Sequence, residues 1–117
     1  MNNQYVLAHD AATKAAVVAS AEYFENTLNG KDNYPCGFAW VKFYPEHKGN
    51  TKLGRAERND IMELGYRKEF TGNGLRLSNP GHYHGQNVDA AYAGAVAYVA
   101  KFKEMTGAKI YAQERLD

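Results

Sequence analysis

The chain has 117 residues, 44% of them hydrophobic and 23% charged, and a formal net charge of +1. That length suits one domain with a single core, and so small a net charge excludes a global field that would select nucleic acid or membrane. The single cysteine, Cys36, excludes an internal disulfide and a Cys-rich zinc site, and no apolar run approaches the ~20 residues of a membrane helix. The opening MNNQYVLAHD lacks the basic head and apolar core of a signal peptide, so the cytoplasm is the expected compartment.

Asp10 is placed to cap a first helix over 11–28, with Val17, Ala21, Phe24 and Leu28 as its buried stripe and Asn29-Gly30 as its stop. KDNYP is a loop. CGFAWVKFY, Cys36 to Tyr44, is the clearest strand. Cys36, Phe38, Trp40 and Tyr44 alternate with Ala39, Val41 and Phe43, so both faces are apolar, as in a central strand buried on two sides. Leu53, Ala56, Ile61 and Leu64 predict a short helix from Thr51, stopped by Gly65. Residues 66–70 read as a strand, TGNG (71–74) as a tight turn and LRLS as the hairpin partner. After the loop NPGHYHGQN, Asp89 is the expected cap of a long helix over 90–105, with Gly107 as its stop. The alanines and Gly94 of that helix permit a close approach to whatever it packs on. Lys109 to Gln113 is the last strand.

The order, a helix followed by β-α-β-β-α-β, predicts an α+β fold. Residues 34–117 form a ferredoxin-like split β-α-β core, a four-stranded antiparallel sheet carrying two helices on one face. Residues 1–30 add an extra N-terminal helix, and no linker or repeat divides residues 1–117 into more than a single domain. The extra helix is expected to cover the second sheet face. Trp40 is then a core residue with its N–H bonded inside, and not a base-stacking side chain on an exposed sheet.

Two segments carry candidate chemistry. In HKGNTKLGRAER, Lys48, Lys52, Arg55 and Arg58 stand close together against one acid, Glu57. Gly49 and Gly54 are followed by Asn50 and Arg55, which is not the phosphate-loop pattern, so a nucleotide hydrolase is disfavoured. Asn50 and Thr51 precede a helix start whose N–H groups attract anions, and Lys52 and Arg55 share a helix face. A solvated basic helix end accounts for the same residues equally well. In SNPGHYHGQN, His82 and His84 are two apart, and an extended backbone would project both imidazoles to one side. Zinc would need further ligands from afar (His47, Asp89, Cys36 or His9), none at diagnostic spacing. A glycine-flanked loop with two solvated imidazoles is the simpler account. Tyr83, hard to bury in such a loop, is a candidate contact residue, and Cys36 reads as a small buried hydrophobe.

CGFAWV at 36–41, AYAGAVAY at 91–98 and the ending AKIYAQERLD resemble a group of small accessory proteins encoded by tailed bacteriophages, over residues 34–117. The resemblance implies a binding protein made inside a bacterial host and transfers no catalytic residue. The expected function is therefore non-enzymatic, with no cofactor. Lys48, Asn50, Thr51, Lys52, Arg55 and Arg58, joined by His82, Tyr83 and His84, form a surface for a phosphate-bearing ligand, a nucleotide or a nucleic acid. The alternative is a protein–protein interaction, as a homodimer or an inhibitor of a host protein, on the strength of nine tyrosines and the alanine-rich helix. A third reading is a metal- or histidine-dependent hydrolase at His82 and His84, with zinc as the metal.

Overall fold

The computed structural model describes residues 3–69, 72 and 74–117. Its elements are α1 (Asn3–Asn26), β1 (Gly37–Tyr44), α2 (Lys52–Glu63), β2 (Arg67–Lys68), β3 (Leu75–Ser78), α3 (Val88–Thr106) and β4 (Lys109–Leu116). The strands form one antiparallel sheet in the order β2-β3-β1-β4. This is an α+β fold with the ferredoxin-like strand order, preceded by an extra helix. No helix among the described residues is long and apolar enough to cross a membrane.

Several boundaries follow from local chemistry that the sequence shows directly. The Thr51 hydroxyl accepts the Gly54 N–H at the start of α2, and Gly65 (φ 109°) and Gly107 (φ 69°) take the left-handed conformations that end α2 and α3. Other boundaries differ from expectation. α3 starts at Val88, because Asn87 and not Asp89 is its cap. Asn87 Oδ1 accepts the Ala90 N–H while its Nδ2 donates to the carbonyls of Asn33 and Tyr34, so one side chain caps the helix and pins a distant loop. Asp89 lies in the first turn, where its charge suits the helix dipole. α1 begins well before Asp10, because its first turns are anchored by Tyr5, whose ring contacts Phe43 and Phe102. β2 is only two residues long, and Phe70, Thr71 and Asn73 of the expected hairpin lie outside the described residues. Cys36 is half-buried at the sheet end, with its thiol 3.5 Å from Gln86 Oε1, and is not a core residue.

The larger correction concerns α1. Its buried residues are Ala8, Ala12, Ala16 and Ser20, in steps of four, while Val17 and Ala21 of the expected stripe are exposed. These small residues face α3, where Ser20 donates to the Ala90 carbonyl and Gly94 approaches Gly81. A Cβ at Gly94 would collide with Ser20 Oγ and stand 3.0 Å from Gly81 Cα. Helices this close have room only for small side chains, so Leu7, Val17 and Val18 of α1 are turned outward. α1 therefore joins α3 on the core face, which carries Ala39, Val41, Phe43, Leu75 and Ile110, and α2 adds Ile61 to the same core. Nothing among the described residues covers the opposite face of the sheet.

Candidate functional site

Strand alternation decides which side chains that open face presents. Across β1 and β4, Phe38 stands opposite Arg115, Trp40 opposite Gln113, Lys42 opposite Tyr111 and Tyr44 opposite Lys109. On the other side of β1, Trp40 pairs with Ser78 and Lys42 with Arg76, which in turn pairs with Arg67 of β2. Each cross-row of β1 and β4 thus holds one aromatic ring. Successive rows are about 6.8 Å apart, since a strand rises ~3.4 Å per residue.

Every one of these rings has a cation beside it. The Arg76 guanidinium lies 3.9 Å from the centre of the Trp40 ring, and Arg115 5.8 Å from that of Phe38. Lys42 is 5.3 Å from Tyr44, and Lys103 reaches from α3 to within 5.3 Å of Tyr111. The Trp40 N–H donates to Gln113 Oε1 at 2.9 Å, so the indole is bonded across the open face and not inside the core. Phe38 and Tyr111 are about half exposed, at 51% and 47%. Lys42, Arg67, Arg76, Lys109 and Arg115 set the charge of the strands here, against Glu69, which pairs with Lys42 at 3.8 Å, and Asp117 at the end of the sheet beside Phe38 and Arg76. A chain of net charge +1 has therefore gathered a cationic, aromatic surface on one side.

The basic helix start has a different character. Arg55 donates to the Asn50 carbonyl, and Arg58 to the carbonyls of His47 and Gly54. The Thr51 hydroxyl donates to the Lys48 carbonyl as well as capping Gly54, whose missing Cβ lets the Lys48 carbonyl pack against the helix. Much of HKGNTKLGRAER thus closes its own loop, while Lys48, Asn50 and Lys52 are exposed.

The histidine loop is not extended: His82 has φ 54°, in the left-handed region. His82 and His84 border a cleft of about 480 Å³, and of the distant ligands considered His9 reaches it. Among the described residues, the trio with donor atoms within 4.8 Å of one another is Glu46, His47 and Glu57. Glu57 already accepts the backbone N–H groups of Glu46 and His47. Tyr83 is partly buried against Phe24 and donates to Asp32, which also accepts the N–H groups of Gln86 and Asn87. The Tyr83 hydrogen bond, with help from those N–H groups, lowers the Asp32 pKa, and burial together with the Asp32 bond raises that of Tyr83. Tyr83 is a strut of its loop.

Behind the histidine cleft, Tyr66 donates to Tyr98, and Tyr98 lies 2.7 Å from His9 Nδ1. Burial holds the His9 imidazole below its ordinary 6.5, with His82 adding to the effect and Asp10 opposing it. The unfolded chain therefore binds the proton more readily. The stability contributed by neutral His9 is complete above about pH 6.5 and is lost as the pH falls through the lower folded value. Chemical denaturation at pH 7.5 and 5 should show this loss, and His9→Gln should reduce it.

Sequence inspection missed the open face because it placed α1 there; the signal was the even-numbered run Phe38, Trp40, Lys42, Tyr44 matched by Arg76 and Tyr111. No family model matches the chain, and no curated protein or solved structure matches it either.

Proposed function

We propose that the protein binds single-stranded nucleic acid on the open face of its sheet, without catalysing a reaction. The observation that carries this reading is the row of ring–cation pairs along β1 and β4. Their row spacing of about 6.8 Å is twice the ~3.4 Å per nucleotide of a duplex strand, which suits bases drawn apart to stack on separate platforms. Base–aromatic stacking contributes about 1–3 kcal/mol per base, and guanidinium planes stack bases as rings do. The cations beside the rings are placed for the phosphates between bases. A duplex hides the base faces that these platforms need. In a bacterial host, the setting implied by the phage resemblance, such a surface would hold strands exposed by replication or transcription.

The test is fluorescence anisotropy with a labelled oligo(dT) or oligo(U) of a dozen nucleotides. Saturable binding is expected at low salt, with log K falling against log salt at a slope of about −2 to −3.5, as for three to five cations on a single strand. A duplex of the same length should bind at least tenfold more weakly. Changing Lys52 and Arg55 to alanine should leave the affinity within twofold. Absence of saturable binding at about 50 mM salt would overturn the proposal, as would its loss in the Lys52/Arg55 variant.

A further inference from the structure

The open face ends in a bay beside β1, between two backbone bridges. Pairing of β1 with β3 stops at Trp40 and Ser78, after which the Asn79 N–H still reaches the Ala39 carbonyl at 2.9 Å. The chain then bows away and returns at Gln86, whose carbonyl accepts the Gly37 N–H at 3.0 Å. Between these bridges lies a cleft of about 400 Å³, lined by Phe38, Arg76, Ser78, Gln86 and Asp117 among others. Its outer wall is built in advance. Asp32 holds Tyr83, Gln86 and Asn87, and Asn79 exchanges two hydrogen bonds with Tyr83. A Cβ at Gly85 would collide with Asp32, so the wall is closed down to the backbone. Asp117 is brought to the rim by its N–H bond to the Cys36 carbonyl.

Phe38 and Arg76 belong both to the bay and to the row of stacking platforms, so a strand lying along β1 brings one base to its mouth. We infer that the bay takes a single nucleobase, and that the base it selects is guanine; this rests on the open-face reading. A carboxylate such as that of Asp117 only accepts hydrogen bonds, and guanine alone among the four bases presents two adjacent donors, N1–H and N2–H, beside an acceptor, O6. The Gln86 amide and the Arg76 guanidinium supply donors suited to O6. Adenine and cytosine each set an acceptor nitrogen beside their amino donor, against the carboxylate, and thymine offers one donor between two acceptors.

The experiment compares oligo(dT) with the same strand carrying one central guanine, adenine or cytosine, by anisotropy on the full chain. Guanine is expected to tighten binding about tenfold, the other bases by less than twofold. Asp117→Asn should abolish the guanine gain while oligo(dT) binds as well as before or slightly better. Equal affinity for all four strands, with oligo(dT) binding intact, would overturn the guanine bay and leave the open face standing. A guanine gain that survives Asp117→Asn would overturn the assignment too. Failure of every strand to bind would overturn the open-face reading and this inference with it.

Discussion

Replacing Trp40 with alanine is expected to weaken binding of a single-stranded oligonucleotide by about five- to 150-fold, the equivalent of about 1–3 kcal/mol for one stacked base. On the open-face reading Trp40 is the central platform: Arg76 rests on its ring and its N–H is fixed to Gln113, so its removal loosens a cation as well as deleting a π surface. The same change should move the thermal midpoint by only a few degrees, because Trp40 lies opposite the packed core residues Ala39 and Val41. Trp40→Phe should keep much of the affinity, since a stacking ring remains, although it is smaller and lacks the N–H. Anisotropy and thermal unfolding on the three proteins separate these outcomes. A large drop in stability without a change in affinity would show that the indole serves the fold.

The second large effect concerns Gly94, and its sign is informative. In an exposed helix interior, glycine to alanine stabilises by about 1 kcal/mol. Here the added Cβ would meet Ser20 Oγ and the backbone of Gly81, in a place where α1, α3 and the histidine loop converge. Backbone cannot swing aside as the end of a long side chain can. Gly94→Ala is therefore expected to destabilise by about 1–3 kcal/mol, the usual cost of overpacking, and Gly94→Val by more. Urea unfolding at constant pH measures it. A stabilised Gly94→Ala protein would mean that α1 stands further from α3 than the contact of Gly94 with Ser20 places it.

Where structure depended on neighbours in sequence, the chain could be read. The alternation in β1, the start of α2 at Thr51, the stops at Gly65 and Gly107, and the closeness allowed by Gly94 all correspond to what is observed. Asn87 was obscured because Asn and Asp are interchangeable as caps, and its second task, holding the carbonyls of Asn33 and Tyr34, spans more than fifty positions. The placement of α1 was misread because apolar size was weighed above the four-residue recurrence of Ala8, Ala12, Ala16 and Ser20. That one misplacement hid the candidate site, since Phe38, Trp40 and Tyr44 look like core residues until the face they occupy is known to be open.

With all three helices on one side, β1 divides its labour by parity. Odd positions Ala39, Val41 and Phe43 are committed to holding the molecule together, and even positions Phe38, Trp40, Lys42 and Tyr44 are not. Substitutions at the even positions would change the character of the open face while leaving the inward packing of Ala39, Val41 and Phe43 in place. The inward-facing residues have no such latitude. Insertion of a single residue in β1 would reverse the two roles beyond it, burying a lysine and exposing a phenylalanine. The length of that strand is therefore under stricter constraint than the identity of half its residues.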